Sequence, residues 1–330
     1  MTPFELCLTS LVLACLGAWL LARHAGRLGL VDYPNERSSH SAPTATAGGV
    51  GILVAFVVVS ALVSVPAALW VPAMLVGLLG LATDVRDIAP GARLAFEAIA
   101  GAAVVVGAVT HAGIQVTGLS LILLVACGVL YLAGSANFYN FMDGIDGMAA
   151  ISGVVAFGLI AAHGAGGDSS LTLLAASISL ACAGFLPLNW PSARVFMGDV
   201  GSLLLGFSFS GVVVWLSTDL LEFVCLASFL FPFYADELTT MAIRMRRREE
   251  LVRPHRQHLY QILANEKGIA HWRISGCYGL AQLAIGLGVL AIIERGLISV
   301  LLLVGCAFGL FTALSLLIRR NVATANRGSR

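Results

Sequence analysis

The sequence predicts an all-α fold: a polytopic integral membrane protein of about eleven transmembrane helices, with the N-terminus outside and the C-terminus cytoplasmic. Three observations carry that expectation. Apolar residues make up 58% of the 330 positions and charged ones 11%, where soluble domains carry roughly 25% charged residues, and the mean hydropathy is +0.92. Apolar runs long enough to cross a hydrocarbon core of roughly 30 Å recur along the whole chain. Basic residues fall almost entirely on alternate connections between those runs. Soluble two-domain enzymes, basic nucleic-acid-binding proteins, disordered chains and secreted disulfide scaffolds are excluded by the same composition.

The runs lie near 4–22, 48–65, 66–83, 95–112, 118–136, 147–163, 170–188, 202–217, 220–241, 274–293 and 296–318. The first has Glu5 and no Lys or Arg before it, so it reads as a retained span rather than a cleaved signal peptide. The second and third are separated by a short hinge at Pro66. With eleven spans, 18 of the 19 Lys and Arg residues share one face, and Arg295 alone lies on the other. Basic residues are retained on the cytoplasmic side, which fixes the orientation. Trp19, Trp70, Trp190, Trp215 and Trp272 sit near span ends, as an interfacial belt requires. Neither a repeat nor a soluble domain interrupts the pattern, so residues 1–330 read as a single membrane domain with one long cytoplasmic loop, 242–273. The seven cysteines lie scattered in apolar stretches and read as small hydrophobes.

Acidic residues near the spans hold the functional information, because a carboxylate at mid-membrane costs about 2.5–3.5 kcal/mol. Asp84, Asp87, Asp143, Asp146, Asp199, Asp236 and Glu237 fall at cytoplasmic span ends, whereas the outer face has Glu5, Asp168, Asp219, Glu222 and Glu294. The few basic residues nearby, such as Arg86 and Arg194, do not offset an inner cluster of that size. A divalent cation would.

Four stretches carry the cluster. In NFYNFMDGIDGMA, Asn137–Ala149, Asp143 and Asp146 are each followed by glycine. If the segment is helical their spacing places both on one face, and Asn140 adds an amide one turn earlier. An isolated DG pair would read as a turn capping the next span; two pairs beside two asparagines point to a site. In VFMGDVGS, Val195–Ser202, glycines flank Asp199, so a phosphate-bound metal can come close to the chain. Mg²⁺ takes one or two carboxylates and completes its octahedron with phosphate oxygens and water. An N-cap role for Asp199 or Ser202 is compatible with that. In RPHRQHLYQ, Arg253–Gln261, His255, Arg256 and His258 suit phosphate contact better than a two-histidine metal site, which lacks a nearby third ligand. The polar, glycine-rich stretch Asp32–Gly51 alone reads as a loop.

Taken in order, NxxNxxDGxDG followed by VFMGDxGS resembles the polyprenyl-phosphate N-acetylhexosamine-1-phosphate transferase superfamily, the bacterial family 4 membrane glycosyltransferases. The resemblance runs from about Asp32 to Gln261. The DxPNxRSSHSxPT opening and the PHRxHLYQ loop look most like the branch that starts O-antigen or other surface polysaccharides. It implies that a membrane-embedded polyprenyl phosphate, such as undecaprenyl phosphate, attacks the sugar-side phosphorus of a UDP-sugar. UMP leaves and a polyprenyl-diphosphate sugar remains. The sugar would be an N-acetylated aminosugar, the compartment the bacterial inner membrane and the active site its cytoplasmic face. Asp199 would hold Mg²⁺, with Mn²⁺ as the alternative, and Asp84 and Asp143 would be acids near the metal and phosphates. Asn140, Asp146, Asn189 and Phe196 would hold the uridine, while His255, Arg256 and His258 would touch the diphosphate or sugar. UDP-sugar, polyprenyl phosphate and membrane lipid are the expected partners, with no nucleic acid; a homo-oligomer is left open.

Two positions depart from the family pattern. Thr83-Asp84 stands where an Asp-Asp pair is usual, and Thr46 replaces a basic residue in PTATAGG, Pro43–Gly49. The first disfavours a mechanism that needs the leading Asp as a general base. A phosphate monoester, with a second pKa of about 6, is largely dianionic at neutral pH and can attack unaided. The rival readings are a multi-pass transporter, whose ionisable residues would lie near the midplane, and an inactive scaffold of the same fold.

Overall fold

In the computed structural model, residues 1–34, 39, 42–164, 169–250 and 255–328 are described. Arg37, Asp168 and Arg253, part of the charge pattern above, lie outside the described residues, as do Arg330 and the side chain of Arg327.

Among the described residues the fold is all-α, with a single ribbon of two two-residue strands. Helix α1 (Pro3–Leu28) begins at a capping box, in which Glu5 N–H donates to Thr2 Oγ1 and Thr2 N–H to Glu5 Oε2, and it ends at Gly29 with φ +70°. Strands β1 (Val31–Asp32) and β2 (Thr44–Ala45) pair antiparallel, Val31 opposite Ala45. Then follow α2 (Val50–Leu62), α3 (Ala67–Val85), α4 (Pro90–His111), α5 (Gly118–Met142), α6 (Met148–His163), α7 (Ser169–Asn189) and α8 (Gly198–Leu216). The last part contains α9 (Leu220–Ala227), a 3-10 turn at Ser228–Leu230, α10 (Phe231–Arg246), α11 (Leu259–Asn265), α12 (His271–Ile292) and α13 (Leu297–Gly328).

Eight of these helices are long and apolar enough to cross a membrane, and α2 and α6 are shorter apolar helices. The ninth expected run is not one helix. It divides into α9, the 3-10 turn and α10, where Pro232 has no N–H to give. Where backbone groups cannot reach water, something else must pair them. Gln282 on α12 does this, donating from Nε2 to Phe229 O (2.7 Å) and Ser152 O (3.1 Å) while its Oε1 accepts from Ser152 Oγ (2.5 Å).

Helix α8 is the axis of the bundle. Of its most apolar window 78% is buried, against 6% for α13. Helices α3 and α5 flank α8, α1 lies along α7 and α2, and α6 packs between α7 and α12. The approach of α3 to α8 depends on Gly80, where a Cβ would lie 2.3 Å from Asp199 O. That contact brings the end of α3 and the start of α8 together, and with them two of the acids singled out above.

Candidate active site

At one end of the bundle, the termini of α3, α5, α7 and α8 meet the β1–β2 ribbon around a cavity of about 480 Å³, a size suited to a small ligand. Asp32, Asp84, Asp143, Asp146 and Asp199 line it, with Asn140, Asn189, Phe196, Gln261, Thr46, Thr83 and His271. Stretches separated by more than a hundred residues therefore converge.

The DG loop is built differently from the helical alternative. Helix α5 runs one and a half turns past the expected span end and stops at Met142, and α6 begins at Met148. Asp143 and Asp146 thus sit in the connecting loop and share no helix face. Gly147 holds φ +78° there. Asn189 ties this loop to the next: Gly147 N–H donates to its Oδ1 (2.8 Å), and its Nδ2 donates to Val195 O (3.0 Å). Its amide is thereby committed to backbone. Asp146 Oδ2 lies 3.4 Å from His271 Nδ1, and its carbonyl accepts from Ser275 Oγ at 2.6 Å.

Asp84 spends both oxygens on the start of α8. Asp199 N–H donates to Oδ1 (2.9 Å) and Val200 N–H to Oδ2 (3.1 Å), so a carboxylate from α3 satisfies two of the free N–H groups at a helix N-terminus. Gly198 makes room for it with φ +75°; a Cβ would lie 2.6 Å from Asp84 Oδ2 and 2.8 Å from Ala47 Cα. Gly198→Ala is therefore expected to cost roughly 1–2 kcal/mol in backbone strain alone and more from the clash. Thermal melting should show a destabilised protein whose activity is lost with the Asp84 cap.

Asp199 is held on three sides. Asn140 Nδ2 donates to Oδ1 (2.8 Å), and Arg93 Nη1 donates to Oδ2 (3.1 Å). The Thr83 hydroxyl approaches Oδ2 at 3.1 Å and also Gly80 O at 2.7 Å. Sequence reasoning missed Arg93 as a site residue and passed over Glu97, the acid one helical turn further along α4, which is fully buried. It also missed His271 and Gln261 as lining residues.

Asp143 differs from its neighbours. No donor among the described residues reaches its carboxylate, and burial pushes its pKa well above the usual range, with the charges of Asp199, Asp84 and Asp146 adding to the effect. An uncompensated carboxylate among other acids is what a divalent cation would relieve. No group of three His, Cys, Asp or Glu side chains among the described residues is arranged to hold a metal. The donor set of Asp143 and Asp199 on the cavity wall suits a cation that draws most of its shell from phosphate and water, as Mg²⁺ does. It does not fit an all-protein cage.

The PHRQH loop lies elsewhere than its motif implied. His255 and Arg256 line a second cavity with Arg244, Arg248, Glu249 and Glu250. His258 is buried, 3.4 Å from Glu237, at the start of α11. Burial lowers the pKa of His255 to about 4 and of His258 to about 3, with nearby positive charge adding to both, so both rings are neutral at physiological pH. Among the described residues of the motif, only Gln261 reaches the acidic cavity. Tyr260 OH donates to Phe141 O (2.8 Å), while Asp236 accepts from Leu259 N–H (2.8 Å) and Tyr278 OH (2.8 Å), which docks the loop against α5 and α12.

Residues 66–217 match the family described as glycosyl transferase family 4. An undecaprenyl-phosphate α-N-acetylglucosaminyl 1-phosphate transferase of Thermotoga maritima is 28% identical over 76% of this chain and 78% of that protein. A decaprenyl-phosphate N-acetylglucosaminephosphotransferase of Mycobacterium tuberculosis is 27% identical over 76% and 72%. A phospho-N-acetylmuramoyl-pentapeptide-transferase of Shouchella clausii is 30% identical over 50% and 49%.

Proposed function

We propose that this integral membrane protein, whose sequence matches the polyprenyl-phosphate N-acetylhexosamine-1-phosphate transferase superfamily, transfers a sugar 1-phosphate from a UDP-sugar to a polyprenyl phosphate such as undecaprenyl phosphate. The observation that carries the reading is the convergence of five carboxylates on one cavity at a single end of the helix bundle. A lipid phosphate and a soluble nucleotide meet only at a membrane surface, so a site joining them belongs at helix ends. A transporter site would lie near mid-bundle. The excess of Lys and Arg in alternate connections supports reading this end as the cytoplasmic side of a bacterial inner membrane, with eleven crossings in all. The sugar is an N-acetylated aminosugar and the product initiates a surface polysaccharide.

The chemistry follows from the groups present. An oxygen of the polyprenyl phosphate attacks the sugar-side phosphorus, a new P–O bond forms, the P–O bond to the bridging oxygen breaks, and UMP departs with that oxygen. Thr83 offers no carboxylate as a base, and Asp84 is engaged at the start of α8. The attacking phosphate thus enters already as its dianion. Asn140 keeps the Asp199 carboxylate facing the cavity, Phe196 and Asp146 border the nucleotide space, and the bilayer confines the acceptor. Mg²⁺ or Mn²⁺, held by Asp199 with Asp143 beside it, would supply neutralisation of the diphosphate charge.

Purified protein given polyprenyl phosphate, Mg²⁺ and a panel of UDP-sugars is expected to release UMP with at least one N-acetylated donor. Release must require the lipid. Silence across the panel from folded protein would instead favour an inactive scaffold.

A further inference from the structure

Arg93 lies at the centre of a polar array that the transfer chemistry above does not use. Its Nη1 donates to Asp199 Oδ2 at 3.1 Å and its Nη2 to Asn137 Oδ1 at 3.1 Å, and its Nε lies 3.6 Å from Glu97 Oε1. Behind it, Asn137 Nδ2 donates to Glu97 Oε2 and to Ala133 O (2.9 Å). Glu97 is fully buried, and its Oε1 has no hydrogen-bond partner in the structure, so the Asn137 amide on Oε2 and the Arg93 charge beside Oε1 together compensate it. The guanidinium is thus clamped from α4 and α5 and presented to the first turn of α8. A planar fork with donors on three sides can make these contacts together; a lysine ammonium cannot reach all of them with the same geometry.

The arrangement has a consequence for Asp199. Each carboxylate oxygen accepts about two hydrogen bonds. Oδ2 faces both Arg93 and the Thr83 hydroxyl, whereas Oδ1 accepts only from Asn140 among the described residues. One face of Oδ1 is left for a further partner.

The geometry points to Arg93, backed by Glu97 and Asn137, as a positioning residue that turns Asp199 so that Oδ1 meets a divalent cation in the cavity. The inference rests on the metal role proposed for Asp199. Arg93 is not among the residues lining the cavity; it acts by occupying Oδ2, so that the carboxylate binds through one oxygen in a fixed orientation.

The test uses the full-length protein in detergent and Mn²⁺ alone, with free Mn²⁺ read by electron paramagnetic resonance. Arg93→Gln/Glu97→Gln removes the ion pair without changing net charge and without leaving a buried acid unpaired. Partners that orient a metal ligand commonly contribute 10–100-fold in affinity, so the double variant is expected to bind Mn²⁺ about tenfold more weakly or worse. Its kcat is expected to fall at least about tenfold, with both KM values held within about threefold. Wild-type Mn²⁺ affinity in a folded double variant overturns the inference. If the double variant does not fold, Arg93→Lys takes its place: an intermediate loss of affinity supports the role, and wild-type affinity overturns it. Asp199→Ala separates the two levels. If it binds Mn²⁺ as wild type does, the metal role of Asp199 fails and the inference for Arg93 falls with it; if it loses Mn²⁺ while the Arg93 variants bind as wild type does, the inference for Arg93 alone is overturned.

Discussion

Replacing Asp199 with asparagine is expected to lower kcat/KM for sugar-phosphate transfer about 10³-fold or more, equivalent to about 4 kcal/mol of transition-state stabilisation. The side chain keeps its shape, so the packing of α3 against α8 through Gly80 is undisturbed. It loses the negative charge that faces Arg93 and the cavity, and its new NH₂ cannot accept from Asn140 and Arg93 as the carboxylate does. The fold rests elsewhere, on the buried length of α8 and on the Asp84 contacts to backbone N–H groups that survive the substitution. Melting temperature is therefore expected to change little while UMP release collapses. Turnover within about tenfold of wild type would mean that charge at this position is not what stabilises the developing diphosphate. The same experiment with Asp84→Asn should look different, because that residue holds α8 and its loss should lower both stability and activity.

Much of the fold is legible in the sequence because its governing signal is local. Long apolar runs mark helices α3, α7 and α12 to within a few residues at each end, while α1, α5 and α13 continue well past their runs, and paired glycines mark the loop that carries Asp143 and Asp146 and the start of α8 that carries Asp199. What local pattern cannot register is who meets whom. Arg93 appears in the sequence as one more basic residue in a connection, yet it ends up 3.1 Å from an acid 106 positions away. Glu97 lies inside an apolar run, where only the partner one turn earlier and an amide from α5 explain its burial. Helix α5 continues through NFYNFM because neither glycine nor proline stops it before Asp143, so the expectation of two acids on one helical face gives way to a loop. The PHRQH motif falls in a connection between helices, where Asp236 and Tyr278 dock it so that Gln261, and not the histidines, borders the acidic cavity.

Asp143→Asn is expected to separate stability from activity. Burial, joined by the charges of Asp199, Asp84 and Asp146, raises the pKa of Asp143 well above the usual carboxylate range. In the unfolded chain the same group titrates at about 3.9. Between these values the folded state binds the proton more strongly than the unfolded one, so stability falls as pH rises through that window and levels off above it. Below about pH 4 both states are protonated and the penalty is absent. Asparagine carries no charge at any pH. The variant should therefore melt at a higher temperature than wild type near pH 7.5 in the absence of divalent cations, and the gap should close as the pH approaches 4. Millimolar Mg²⁺ should narrow the gap from the other direction, because a cation that binds the folded protein stabilises wild type by mass action and the variant less. Activity moves oppositely: loss of this carboxylate should reduce kcat about 10²-fold, on the scale of removing one electrostatic contact to a reacting group. A variant that melts below wild type at neutral pH would show that the Asp143 carboxylate has a stabilising partner and is not held under repulsion, and its part in attracting a cation would fall with that result.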